Sequence, residues 1–468
     1  MAEWCADNLR NIEAWKAEGY HFSTPSDESC RLYDGLLRQV ISWTDCDKLG
    51  GLIQTLHNMM EADPKSIMAR IFKYGLETMG TGTSARVNPI LQQNMLELEA
   101  DCKKMGTDWE KHHFRGLRQW VDGNFAAAAQ IWEEILLEYP TDYLALKFVH
   151  EAYFFMGDAK NIRDSMKNVI PKWKKTEPCY SYLHGMLAFG YEECGNYKEA
   201  ELEADLALSL NKYDCWATHA KSHVMEMNGR YEEGLEFMEN TSDEWVKGWL
   251  IATHNYWHKA LFSIECENTD AALKIFDLEV SRRASARCSV LDVDDAVSLL
   301  LRLEVLGTDV EDRWSKIPIM ASHTNDHITP FNDAHLGALF VRQDDFDTEH
   351  KMRQSMISFT KSNCNTTTDV YKKVGLSLYE GVVDFCMENY DDAVEKMYPV
   401  REHVYTVGGS HAQRDLFNQL LIESCIQSNE EKIWKLTPSL LEERKKLRSG
   451  RCVIGEQLER QFHQKHSL

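Results

Sequence analysis

The sequence predicts an all-α protein, an array of helix-turn-helix repeats wound into a solenoid. One observation is a turn position that recurs at Gly123, Gly157, Gly195, Gly229 and Glu267, at intervals of 34, 38, 34 and 38 residues. A second is the residue pattern after each glycine. Gly123-Asn124-Phe125 leads to Ala128, Gly157-Asp158 to Ile162, Gly195-Asn196-Tyr197 to Ala200 and Gly229-Arg230-Tyr231 to Gly234. Thirty-four residues is the tetratricopeptide period, one helical hairpin per repeat. The four extra residues at two intervals amount to one helical turn. The third observation is composition: ten prolines and 25 glycines in 468 residues are too few for a turn-dense β protein or for low-complexity tails.

The repeats divide the chain into degenerate hairpins over 1–108, central tetratricopeptide repeats over 109–290 and further helical repeats over 291–468, read as one continuous superhelix. In the N-terminal part, Leu36, Val40, Trp43, Leu52, Leu56 and Met59 imitate a repeat, and 67–79 with 90–105 form another helical pair. The central unit from Trp109 has Gly116 where a neighbouring helix can approach, Gly123 as the turn, and Phe125, Ala128, Trp132 and Ile135 at helical spacing. Tyr143 and Ser181 open the next two units, Cys215 the fourth, and Thr253 the fifth, in which Glu267 replaces the turn glycine. Downstream, 291–306, 310–323, 331–340 and 349–359 read as helices, 376–386 with Asn389-Tyr390 and Met397 as a repeat, and 411–426 with 433–447 as the terminal pair.

Fifty-two basic residues against 74 acidic give a net charge of −22, which argues against nucleic acid and anionic membrane as partners. The basic run Arg444-Lys445-Lys446-Leu447-Arg448 reads as a solvated helix face. With no signal-like start, no long apolar stretch and thirteen scattered cysteines lacking any Cys-x-x-Cys pair, the expectation is a cytoplasmic protein with reduced thiols. Gly80-Thr81-Gly82-Thr83-Ser84 lacks the Gly-Lys-Ser/Thr ending of a phosphate loop and reads as a helix end and turn.

The first helix of each hairpin lines the inner surface of such an array. Projected on that register, His113, Lys147, Glu151, His219, His223, Glu226, His254, Trp257 and His258 fall on the inner side as candidate ligand contacts. His219/His223 and His254/His258 are each spaced i and i+4, so both rings of a pair share one helix face. Three readings stay open. Two such helices can supply four nitrogens, His219, His223, His254 and His258, to zinc or another divalent metal. Glu226 is then the one obvious base or further ligand, since no His-Glu-x-x-His signature occurs. Alternatively, His and Lys147 recognise an anionic or C-terminal carboxylate group. In the third reading the histidines satisfy partners in the core and no cofactor is needed.

The segments Pro140–Phe148, His254-Asn255-Tyr256-Trp257-His258, Phe331-Asn332-Asp333-Ala334-His335 and Gln413–Leu421 together resemble the tetratricopeptide repeat protein 38 family, from about Trp15 to the terminal hairpins. That resemblance implies an all-helical repeat protein and carries over no catalytic residue. Compared with repeat domains that clamp chaperone tails through a Lys and Asn one turn apart, this chain has Lys147 with Glu151, an acidic substitution that opposes a terminal carboxylate. The expected function is a scaffold that holds a protein or peptide in a His-rich groove. The alternative is a metal-dependent hydrolase using the same histidines.

Overall fold

The computed structural model describes residues 2–79, 82–362 and 365–466. Helix dominates, and no strand occurs among the described residues. The chain is all-α, in tetratricopeptide-like helical hairpins. It forms two compact units, Met1–Ala220 with Glu244–Ile251 and Lys221–Asp243 with Ala252–Leu468.

In the first unit the hairpins arise from caps, turns and small residues. Thr107 and Glu110 form a capping box at the start of Asp108–Val121, with Glu110 N donating to Thr107 Oγ1 at 3.2 Å and Thr107 N to Glu110 Oε2 at 2.9 Å. Gly123 then reverses the chain at φ 80° into Phe125–Glu138. The two helices close because Gly116 has no Cβ: one built there would meet Trp132 Nε1 at 2.5 Å. Tyr143–Met156 turns through Gly157 at φ 66° into Ala159–Val169, and Tyr180–Glu193 turns through Gly195 at φ 72° into Tyr197–Leu210.

In the second unit Gly229, at φ 67°, leads into Tyr231–Asn240. The left-handed turn position continues beyond the last glycine of the series. Glu267 adopts φ 60°, Gly307 76°, Asp344 58° and Glu388 63°. The next residue compensates at two of these turns. Asn268 Oδ1 accepts from Ala271 N at 3.0 Å and Asp345 Oδ1 from Thr348 N at 3.1 Å, each capping the helix it precedes. Val290–Val305, Pro330–Arg342, Leu376–Cys386 and His411–Gln427 run through this unit's core, where Leu300, Leu339, Tyr379 and Leu420 are fully buried.

Two expectations change. The segment 310–323 is not a helix but two short 3-10 turns, Arg313–Lys316 and Ala321–His323, because Pro318 forces Ile317 out of the helical region. The terminal segment 433–447 splits into Glu431–Trp434 and Thr437–Lys446, with Pro438 in the first turn of the second piece, and a further helix, Val453–His466, comes after it. Gly80 and Thr81, the start of the phosphate-loop-like stretch, lie outside the described residues.

Candidate functional site

Three helices build the histidine site of the second unit. Cys215–Met227 contributes His223 and Glu226, Leu250–Glu265 contributes His254, Trp257 and His258, and Val290–Val305 contributes Asp294, Asp295 and Arg302. One turn separates His254 from His258, and their ring centroids stand 4.8 Å apart. The His223 ring meets His258 at 4.4 Å and His254 at 6.4 Å. Trp257 lies nearly parallel to His254 at 5.0 Å.

A carboxylate sits on Nδ1 of two of the three rings. Asp295 Oδ1 and Oδ2 are 2.8 and 3.0 Å from His254 Nδ1, and Glu226 Oε2 is 3.2 Å from His258 Nδ1. His223, His258 and Trp257 have no exposed surface. Burial first, and then the neighbouring His258 and His254, push the His223 pKa well below its usual 6.5. Burial, His254 and Arg302 do the same to His258. Both imidazoles are therefore neutral at physiological pH. Burial raises the Asp295 carboxyl despite His254. Asp294, beside it in sequence, has no hydrogen-bond partner on either oxygen among the described residues. Its pKa rises well above the carboxylate range, through burial and the charges of Asp295 and Asp333.

From Glu226 a buried charged chain leads outward. Arg448 Nη2 donates to Glu226 Oε1 at 3.0 Å and to Asp415 Oδ2 at 3.0 Å, and Arg444 Nη2 donates to Asp415 Oδ2 at 2.7 Å. Arg302 stands 5.1 Å from the Trp257 ring, donating to Ala412 O at 2.6 Å, and burial lowers its pKa to about 10. Arg414 donates to the carbonyl of Gly409. A cavity of about 500 Å³ opens against this chain. Its polar lining includes Arg401, Arg414, Arg444, Lys446, Arg448 and His411 with the acidic Glu402, Asp415 and Glu443 and with Asn418, and Val404, Leu421, Ile422 and Leu440 give it an apolar wall.

The remaining candidates lie in the first unit. His113 is not on an open inner face. It is fully buried, with Nε2 2.8 Å from Asp142 Oδ2, because Asp142 also caps the next helix through Ala145 N. Burial would raise the Asp142 carboxyl, but His113 and the hydrogen bonds hold it below the usual range. Lys147 is not a ligand clamp: it pairs with Glu151 and lies 4.3 Å above the Trp43 ring and 5.5 Å from Trp216. His219, one turn before His223, packs its ring on Trp216 at 4.7 Å and Phe189 at 5.3 Å.

The structure adds Asp294, Asp295, Arg302, Asp415, Arg444 and Arg448 to the expected site. The run 444–448 is not wholly a solvated face, since Arg444 and Arg448, at i and i+4, turn inward while Lys445 and Lys446 stay exposed. The i, i+4 spacing of the two arginines, which puts both on one helix face, was the available signal within the run.

No family model matches the chain. Among solved structures it is similar to an IFIT1 monomeric mutant with Gppp-AAAA, at 11% identity over 99% of both chains and a TM-score of 0.38. It is also similar to a second IFIT1 monomeric mutant with m7Gppp-AAAA, at 12% identity over 99% of both chains and a TM-score of 0.37. Both of those chains are solved with capped RNA, and the exclusion of nucleic acid drawn from net charge is corrected accordingly. Net charge is a whole-chain sum, and it does not describe a cavity lined with arginine. No helix among the described residues is long and apolar enough to cross a membrane.

Proposed function

We propose that the chain is a repeat protein of the tetratricopeptide repeat protein 38 family that takes a small anionic ligand into the arginine-rich cavity of its second unit. The observation that supports this best is the placement of Arg448. It lines the cavity and at the same time holds Glu226, which in turn meets His258. An anion entering beside Arg448 therefore perturbs a network that ends at the histidines. The apolar wall of Val404, Leu421, Ile422 and Leu440 suits a ligand with a hydrocarbon part. An extended peptide laid on an open groove would not reach His223 or His258, which have no exposed surface.

Calorimetric titration with octyl phosphate and octanoate, with inorganic phosphate as the control for charge alone, tests this reading. Saturable binding should weaken at least tenfold in Arg401→Glu and Lys446→Glu, which change half-buried Arg401 and exposed Lys446 and spare the Arg448–Glu226 and Arg444–Asp415 pairs. Equal affinity in those variants overturns it. A second reading, a metal-dependent hydrolase, is favoured by one observation, the carboxylate on Nδ1 of both His254 and His258.

A further inference from the structure

We propose that His223, His254 and His258 form a three-nitrogen site for a divalent transition metal of the zinc class. One ring nitrogen from each lies within 4.8 Å of those of the other two. Two helices supply them, so the cluster is not a by-product of the spacing along a single helix. Zinc holds imidazole nitrogens at about 2.0–2.1 Å, which sets tetrahedral ligands roughly 3.3 Å apart. The rings need to close by about 1.5 Å at most to reach that geometry.

The carboxylates are an independent observation. A histidine that binds metal through one ring nitrogen characteristically gives the other N–H to a carboxylate or carbonyl, which fixes its tautomer and raises its basicity. Asp295 on His254 Nδ1 and Glu226 on His258 Nδ1 provide this twice, from different helices. With the proton on Nδ1, a neutral imidazole carries its lone pair on Nε2. Purely imidazole donors suit zinc and its neighbours in the first transition row and suit magnesium or calcium poorly. A metal held there would supply the Lewis-acid chemistry that hydrolases use. That last step rests on the hydrolase reading, whereas the site itself stands on its geometry.

The test uses the full chain, made without a histidine tag, stripped with chelator and desalted, then titrated with cobalt(II). The expected result is stoichiometric binding with the strong visible absorption of tetrahedral cobalt, displaced by zinc. His258→Ala should abolish the absorption. Asp295→Asn keeps every ligand and should weaken affinity about 10–100-fold. No visible band in the unmodified chain overturns the proposal, and so does unchanged affinity in the variants. If circular dichroism shows His258→Ala unfolded, Asp295→Asn decides. Octyl phosphate binding is measured on the stripped protein, so failure of the anion reading and failure of the metal site register separately.

Discussion

Arg448 donates from Nη2 to Oε1 of Glu226 at 3.0 Å, joining side chains 222 residues apart in the chain. Both are buried, and the same guanidinium holds Asp415. Removing one partner of a buried ion pair leaves an uncompensated charge and costs about 3–5 kcal/mol. Arg448→Met should therefore lower stability by about that much in urea unfolding, and adding Glu226→Gln should return part of the loss. A cost below about 1 kcal/mol for the single variant would show that the pair is wetter than its burial implies.

Close helix approach makes a second prediction. A Cβ at Gly234 would meet the Phe262 ring at 2.5 Å, while one at Gly195 meets nothing within 4 Å but sits at φ 72°. Gly234→Ala should cost about 1–3 kcal/mol through overpacking. Gly195→Ala should cost about 1–2 kcal/mol through its left-handed backbone. The urea midpoints separate these causes further with Gly195→Asn, which tolerates that backbone and should recover most of the loss, whereas Gly234→Asn should not.

The repeat architecture was legible because it rests on turns with glycine in them. It faded after Gly229 because Glu267, Asp344 and Glu388 take the same left-handed turn without a glycine, with Asn268 and Asp345 as caps. The histidines were legible as two i, i+4 pairs. Their carboxylate partners were not: Asp295 lies 41 residues from His254, and no periodicity links them. Burial was the harder quantity. The inner side of a first helix was read as open, yet His113 and His258 are sealed by residues from neighbouring helices. Arg444 and Arg448 were hidden in a basic run because two inward cations and two outward lysines have the same composition as a solvated face.

Asp294 should set part of the alkaline side of the stability profile. Its folded pKa is raised above the unfolded value of 3.8 by burial, Asp295 and Asp333. The folded state then holds a proton that the unfolded state has released, so the group's stabilising share is full below the unfolded pKa. It is lost as pH rises toward the folded pKa, at up to about 1.4 kcal/mol per pH unit. Asp294→Asn removes this dependence. Its stability relative to the unmodified chain should grow between pH 4 and pH 7.5, measured by urea unfolding at each pH, and a constant difference would contradict the assignment.

His335 acts in the opposite direction. It is buried, its Nδ1 lies 2.8 Å from Phe331 O, and burial lowers its pKa from 6.5 to about 4. Above pH 6.5 neither state binds the proton and the group is silent. Between 6.5 and about 4 the unfolded chain protonates and the folded one does not, so stability falls as pH falls. At pH 5 the loss from this one residue is about 2 kcal/mol. His335→Gln, which stays neutral in both states, should close that gap: the difference in unfolding free energy between variant and unmodified chain should shift by about 2 kcal/mol from pH 7.5 to pH 5. Proton resonances of the His335 ring supply the direct check. They should keep the chemical shifts of a neutral imidazole at pH 5, and a midpoint near 6.5 would mean that water reaches the ring and that the core around Phe331 and Phe417 opens to it.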